Sequence, residues 1–437
     1  MLISVIGDPR NYGLARYHYA GAVAERRFSS SVILDVEKPD RSVLITQYTM
    51  AKRGNNFESL QRETIEYIRG FIKDVDRFEH KIIAPGVIRI KDENDGREYD
   101  FRGDIFNFYA YVLYSLARFF EGLSGDVEVI LDLTHGINYM GYLTLRAVSL
   151  ILDIYSMVNN AKLKVVNSDP YSRRGNKQAG SPQVQQSQET PELNINVVLE
   201  KSITPTFNYP ASSRTELLHP YLGSNKEKER LGKELTSLSK DMKECMSNQE
   251  HFINAINRGA LLAAYTFADD FGKCVDWAVD YFAKNVHVDP RQSFVVTPKY
   301  SFTETFESLV IAEMIKKVTG IDRKSEVRLE ELDNKAEIYS KSRTIYSIVE
   351  SEIYRIEKMI KEVIGLEPGI AESWTKLTYY ADKMQKKKYS ENPNDDRTFF
   401  AHAGMPYAFV EVKGATKELR YSDDAIEKLK RERFLKC

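Results

Sequence analysis

Cysteine is scarce: three residues in 437. Cys245, Cys274 and Cys437 form no C-x-x-C pair and are odd in number. That excludes a disulfide-stapled scaffold and a cysteine-based zinc framework, and it fits a reducing cytoplasm. Charge of one sign is also missing. The formal net charge is −1, so the composition carries no broad basic surface of the kind duplex-DNA binders need, although a local basic cleft stays compatible with it. No apolar run reaches the roughly 18 residues of a membrane span. The opening "MLISVIGDPR" is too short an apolar run for a signal peptide. Neither G-x-G-x-x-G nor a P-loop occurs, no divalent-metal cluster is evident, and no internal repeat is found.

What remains is the composition of an ordinary globular protein, 42% hydrophobic and 29% charged, with 26 Tyr and 21 Phe. Most of these rings are expected in the core, although aromatic rings also stack on unpaired bases. The length points to two or three domains. Over residues 1–201, short β-rich runs alternate with amphipathic stretches. "LISVIG" (Leu2–Gly7), "SVLITQYT" (Ser42–Thr49), "VEVILDLTHG" (Val127–Gly136), "KLKVVNSD" (Lys162–Asp169) and "LNINVVLE" (Leu193–Glu200) read as strands. Phe57–Ile72, Asp104–Leu123 and Ile137–Ser156 have helical spacing. This alternation predicts an α/β unit with a mainly parallel sheet and helices on both faces. Residues 171–192, with Arg173 and Arg174, read as a polar loop. Pro205, Pro210 and Pro220 punctuate a junction over 202–222. Residues 223–437 are nearly all helical in period, apart from an extended insertion at Val288–Tyr300.

Three constellations could carry chemistry. "GDPRNY" (Gly7–Tyr12) follows the first strand, where an open α/β sheet binds ligands; an ordinary turn is the plainer reading. "DLTHGINYM" (Asp132–Met140) runs from a strand end into a helix. It sets Thr134, His135, Gly136 and Asn138 beside a helix N-terminus, a place that favours anions. The plainer reading makes Thr134 or Asn138 an N-cap and His135 a packed histidine. The third is "NDDRTFFAHAGM" (Asn394–Met405), with Arg397 and His402 five positions apart. With 28 Arg and 7 His, about 0.45 such pairs are expected by chance, and a second exists at Arg214 and His219. Context separates them. "ENPND" supplies a turn and a cap, so a short helix begins near Asp396, and "AG" with Pro406 ends it. The two Phe explain packing and leave Arg397 and His402 to a polar site. "RTELLHP" lacks these features and reads as junction.

"DDRTFFAHAG" resembles the R-x4-6-H motif of HEPN-domain ribonucleases. "DLTHGIN" and the Gly-Asp-Pro turn resemble the ligand motifs of CARF domains. Their order resembles the CRISPR-associated CARF–HEPN ribonucleases that act beside type III effector complexes in antiviral defence. The likeness covers both halves, but between about residues 200 and 390 it rests on helical character alone. Thr398 departs from the Asn, Asp or His common after the motif arginine.

The resemblance implies a Rossmann-like CARF sensor, then a mainly helical linker and a C-terminal HEPN domain. It also implies a metal-independent endoribonuclease acting on single-stranded RNA, with no cofactor. The RNA 2′-hydroxyl would be the nucleophile and a 2′,3′-cyclic phosphate the product. His402 suits proton movement near neutrality, and Arg397 gives an always-charged fork beside the phosphate. One Arg and one His make half of a symmetric site, so a homodimer is expected. The implied allosteric activator is a cyclic oligoadenylate on Gly7, Asp8, Pro9, Tyr12, Gln47, Thr49, Thr134, His135, Gly136 and Asn138. Two other readings stay open: a ligand-controlled transcription regulator without nuclease activity, and a non-catalytic HEPN interaction protein.

Overall fold

The computed structural model describes residues 1–92, 96–170, 190–291, 293–385, 396–431 and 435. The apolar runs of the first half assemble into one eight-stranded sheet. In chain order its strands are β1 (Leu2–Ile6), β2 (Ala15–Tyr19), β3 (Ala22–Arg26), β4 (Ser42–Gln47), β5 (His80–Ala84), β6 (Val127–His135), β7 (Ala161–Ser168) and β8 (Glu192–Ile203). They lie in the order β3-β2-β8-β7-β6-β1-β4-β5. From β7 to β5 every pairing is parallel, while β8 runs antiparallel to β7. The five expected strands all form, with ends shifted by no more than three residues.

Alternation along β1 divides the core. Ile3 and Val5 pack into the cluster that holds α3 (Ile105–Glu121) and α4 (Asn138–Tyr155). Leu2 and Ile6 join α1 (Ser29–Glu37) and the end of α2 (Phe57–Phe71) on the other face. A strand covered on both faces has no solvent side, so β1 and β4 are buried throughout.

The second half carries α5 (Asn225–Leu238), α6 (Lys243–Asn257), α7 (Leu261–Phe267), α8 (Phe271–Lys284), α9 (Glu304–Thr319), α10 (Leu329–Ala336), α11 (Arg343–Leu366), α12 (Leu377–Gln385), α13 (Asp396–Ala401) and α14 (Asp423–Arg431). It is mainly helical, but it also holds a small sheet of Val327–Arg328, Glu418–Tyr421, Val410–Lys413 and Trp374–Lys376. Strands this short leave little period-2 signal. The extended insertion is likewise paired: Phe294–Pro298 runs parallel to Glu98–Phe101 of the first half, with Phe294 beside Tyr99 and Val296 beside Phe101.

The halves are tied together. Glu307 of α9 accepts from the Tyr109 hydroxyl at 2.6 Å and from Arg146 of α4 at 2.7 Å. Asp153 of α4 accepts from the Tyr209 hydroxyl at 2.7 Å and the Thr206 N–H at 3.1 Å, which pins the junction. The Lys341 amine, just ahead of α11, donates to the carbonyls of Ser156 at 2.8 Å and Asn159 at 2.5 Å, past the end of α4. One apolar cluster runs from Ile3 to Leu435. Among the described residues no helix is long and apolar enough to cross a membrane.

Candidate ligand and catalytic sites

Two of the sequence motifs meet at the carboxyl ends of β1 and β6. The His135 carbonyl accepts from the Gly7 N–H at 2.7 Å and from the Tyr12 hydroxyl at 2.8 Å. Gly7 eases this approach, because a Cβ there would lie 3.1 Å from the His135 carbonyl oxygen and 3.2 Å from Ile137, tighter than ordinary contact. The His135 ring sits 4.2 Å from the Tyr12 ring and 5.4 Å from Phe28. Its Nε2 accepts the Ser29 N–H at 3.2 Å. Burial pushes the imidazole down to about 4, against a weaker upward pull from Asp132. The ring is therefore neutral near pH 7. Asp132 is 1% exposed and accepts from the Ser29 hydroxyl at 2.7 Å, the Ser30 hydroxyl at 2.5 Å and the Thr134 N–H at 3.0 Å.

Beside this knot lies a cavity of about 550 Å³, lined by Tyr12, Tyr17, Thr134, His135, Asn167 and Asp169 among others. Its rings and polar edges are of the kinds that stack on and hydrogen-bond a base. Gly7, Asp8, Pro9, Gln47, Thr49 and Gly136 do not line it. Asp8 caps the turn that begins at Pro9, accepting from the Arg10 N–H at 3.1 Å and from the Tyr67 hydroxyl at 3.0 Å. Arg10 pairs with the Asp8 carboxylate at 2.6 Å and with Asp92 at 3.3 Å, so the charge of Asp8 is offset before any ligand arrives. Gln47 is buried and accepts the Tyr139 hydroxyl at 2.5 Å, and Thr49 is buried after it. Gly136 packs against Val5, and Asn138 opens α4. Thr134 Oγ1 accepts the Ser168 N–H at 3.1 Å, and the N-cap of α4 is Ile137, so neither Thr134 nor Asn138 is that cap. The loop with Arg173 and Arg174 lies outside the described residues.

The third motif forms the short helix its sequence predicts. In α13 the Phe399 side chain is fully buried and Arg397 is exposed at the helix start. The chain then turns through left-handed backbone at Ala403 (φ 48°) and Gly404 (φ 77°). The Gly404 N–H returns to the Phe399 carbonyl at 2.9 Å and closes the helix. A Cβ at Gly404 would stand 2.4 Å from the Ala260 Cβ. This turn sets the His402 ring against α11. Its Nδ1 is 3.0 Å from Glu352 Oε1, and the Tyr407 ring is 4.8 Å away. Arg355 donates to the other Glu352 oxygen at 2.8 Å. Burial, joined by the Glu352 charge, pushes the Tyr407 phenol up. The "ENPND" turn ahead of Asp396 lies outside the described residues. Arg214 and His219 sit elsewhere: the Arg214 carbonyl accepts from Thr305, and His219 pairs with Ser301 in a two-stranded ladder.

Family models match both regions. The CARF domain of the CRISPR system endoribonuclease Csx1 matches residues 1–170, and the HEPN domain of the same protein matches residues 342–423. The chain belongs to the CRISPR-associated CARF–HEPN family. The CRISPR system endoribonuclease Csx1 of Methanocaldococcus jannaschii is 28% identical over 434 residues, covering 94% of this chain and 86% of that protein. The CARF match contains the joined Gly7 and His135 turns, and the HEPN match contains Arg397 and His402. The HEPN match also contains Glu352, which the sequence reading did not single out. A signal was present. Glu352 falls in the stripe of Val349, Ile353, Ile356, Met359, Ile360 and Val363 that α11 buries, and a carboxylate in an apolar stripe needs a partner. Tyr17 and Asn167 of the CARF cavity carried no comparable signal, because their strands, β2 and β7, are brought together only through β8, far along the chain.

Proposed function

We propose that this CARF–HEPN protein is an endoribonuclease that cleaves single-stranded RNA without a metal ion and is switched on by a cyclic oligoadenylate. The reading divides the chain into a sensor over 1–201, a junction over 202–222 and a helical effector over 223–437. The observation that carries it is α13, a helix with Arg397 at its start and His402 at its end, closed by a left-handed glycine, inside the region matched by the HEPN model. Arginine supplies a fixed donor fork for a phosphate that gains charge, and histidine exchanges protons near neutral pH. An isologous homodimer would bring two such pairs together. The name of the Methanocaldococcus jannaschii relative supports the ribonuclease class. On the sensor side, the cavity beside Tyr12, Thr134 and His135 supports an adenylate ligand, with Gly7, Asp8, Pro9, Gln47, Thr49, Gly136 and Asn138 as the further candidate contacts.

The test is cleavage of labelled single-stranded RNA with and without cyclic oligoadenylates, in excess EDTA. Cleavage is expected to persist in EDTA and to leave 2′,3′-cyclic phosphate ends. His402→Ala and Arg397→Ala should each lower the rate by about 10²–10⁴, while Arg214→Ala keeps the parent chemistry. A 3′-hydroxyl product would overturn the proposed chemistry. Either motif variant cleaving within a few-fold of the parent would overturn the site assignment.

A further inference from the structure

Glu352 is 1% exposed, and an unpaired carboxylate at such a place is costly. Its two oxygens are divided. Oε1 faces His402 Nδ1 at 3.0 Å, and Oε2 accepts from Arg355 Nη1 at 2.8 Å. An ionised carboxylate only accepts hydrogen bonds, so the ring nitrogen that faces it must carry the proton. We infer that Glu352 is a positioning residue that fixes His402 as the Nδ1–H tautomer and so leaves the Nε2 lone pair for the RNA, and that Arg355 makes this assignment depend on a carboxylate rather than on any acceptor. The inference rests on the nuclease reading above for its consequence in catalysis, but the tautomer itself can be read without RNA.

The other groups around the ring fit this role. Tyr407 packs against it from the segment that follows α13, which limits rotation about the ring bond. Glu352 and Arg355 both project from α11 one turn apart, so a rigid element holds the acceptor and its counter-cation together. After proton uptake at Nε2 the same carboxylate faces an imidazolium, which it stabilises.

The arrangement gives Glu352→Gln a specific consequence. Arginine offers only donors, so the new amide must turn its oxygen to Arg355. Its NH2 group then faces Nδ1, which has to accept, and the ring proton moves to Nε2. The ring keeps its place in the wrong tautomer. Removing Arg355 from the same chain frees the amide to turn round and present its oxygen to Nδ1.

The experiment combines nitrogen-15 spectra of the histidine-labelled full chain with steady-state cleavage of single-stranded RNA. In the parent, His402 Nδ1 should give the signal of a protonated ring nitrogen and Nε2 that of a bare one. Glu352→Gln should exchange the two and lower kcat by about 10²–10⁴ with KM within a few-fold. Glu352→Gln/Arg355→Met should restore the parent tautomer and raise kcat at least about tenfold over Glu352→Gln. A bare Nδ1 in the parent overturns the inference with no substitution needed, so a variant that fails to fold does not shelter it. So does a double variant no more active than Glu352→Gln. If the tautomer exchanges as described but the parent cleaves no RNA, the positioning role stands and the nuclease reading falls. If the parent cleaves RNA and Glu352→Gln leaves the tautomer unchanged, the reverse holds.

Discussion

Burial between Tyr12 and Phe28 pushes His135 down to about 4 from an ordinary 6.5, whereas His402 is set against a buried carboxylate. The two motif histidines therefore have different surroundings: His135 is packed among rings, and His402 Nδ1 faces one carboxylate oxygen directly. For His135 the folded value lies below the unfolded one. The unfolded chain thus binds more protons between pH about 6.5 and about 4, and stability falls as pH falls through that window. His135→Phe should flatten this dependence, read as the slope of the urea midpoint against pH from 7 down to about 4. An equal slope in the two proteins would show that another group sets it. Arg397, His402 and His135 were legible in the sequence because they sit at the ends of recognisable elements. Glu352 was not, since its meaning depends on a contact across fifty positions of chain.

At the scale of elements, α13 is too short to hold itself together, and its place depends on what surrounds it. Phe399 anchors it, and the turn at Ala403 and Gly404 aims His402. Gly404→Ala would meet both a left-handed backbone and the Ala260 side chain. The expected loss is about 2–4 kcal/mol in urea unfolding, with cleavage falling further than stability because His402 is re-aimed. A variant of parent stability would mean that the turn tolerates a side chain and that the closeness to Ala260 is relieved elsewhere. The same scale explains which elements could be read in advance. Buried parallel strands such as β1 and β4 announce themselves as apolar runs. β2, β3 and β5 did not, and neither did α1, whose run "SSSVILDVE" is short and opens on three serines. The hairpin of Val410–Lys413 and Glu418–Tyr421 is flanked by Trp374–Lys376 and Val327–Arg328, partners far away in sequence that no local pattern records.

For the whole molecule the question is how a ligand on the first half could act on RNA held by the second. Thr134 lines the cavity, and Asn138 opens α4. Thr134→Ala/Asn138→Ala should weaken cyclic oligoadenylate binding and abolish stimulation while sparing the activator-free rate, both rates measured in one preparation. Unchanged stimulation would sink the sensor assignment and leave the nuclease assignment standing. The ligand can act only through its different affinity for the two states, so something must carry the difference across. Here the Lys341 amine acquires a mechanical meaning. With 18 residues, α4 is a strut roughly 27 Å long, seated at one end on the His135 turn. At the other end it is latched by Lys341 to the root of the helix that holds Glu352. A push at the ligand end has a stiff member to travel along and a hinge pin at its far end. Removing the pin by Lys341→Met should leave activator affinity and the unstimulated rate near those of the parent, while the stimulated rate falls towards the unstimulated one. A thrust with nothing to bear on moves no load.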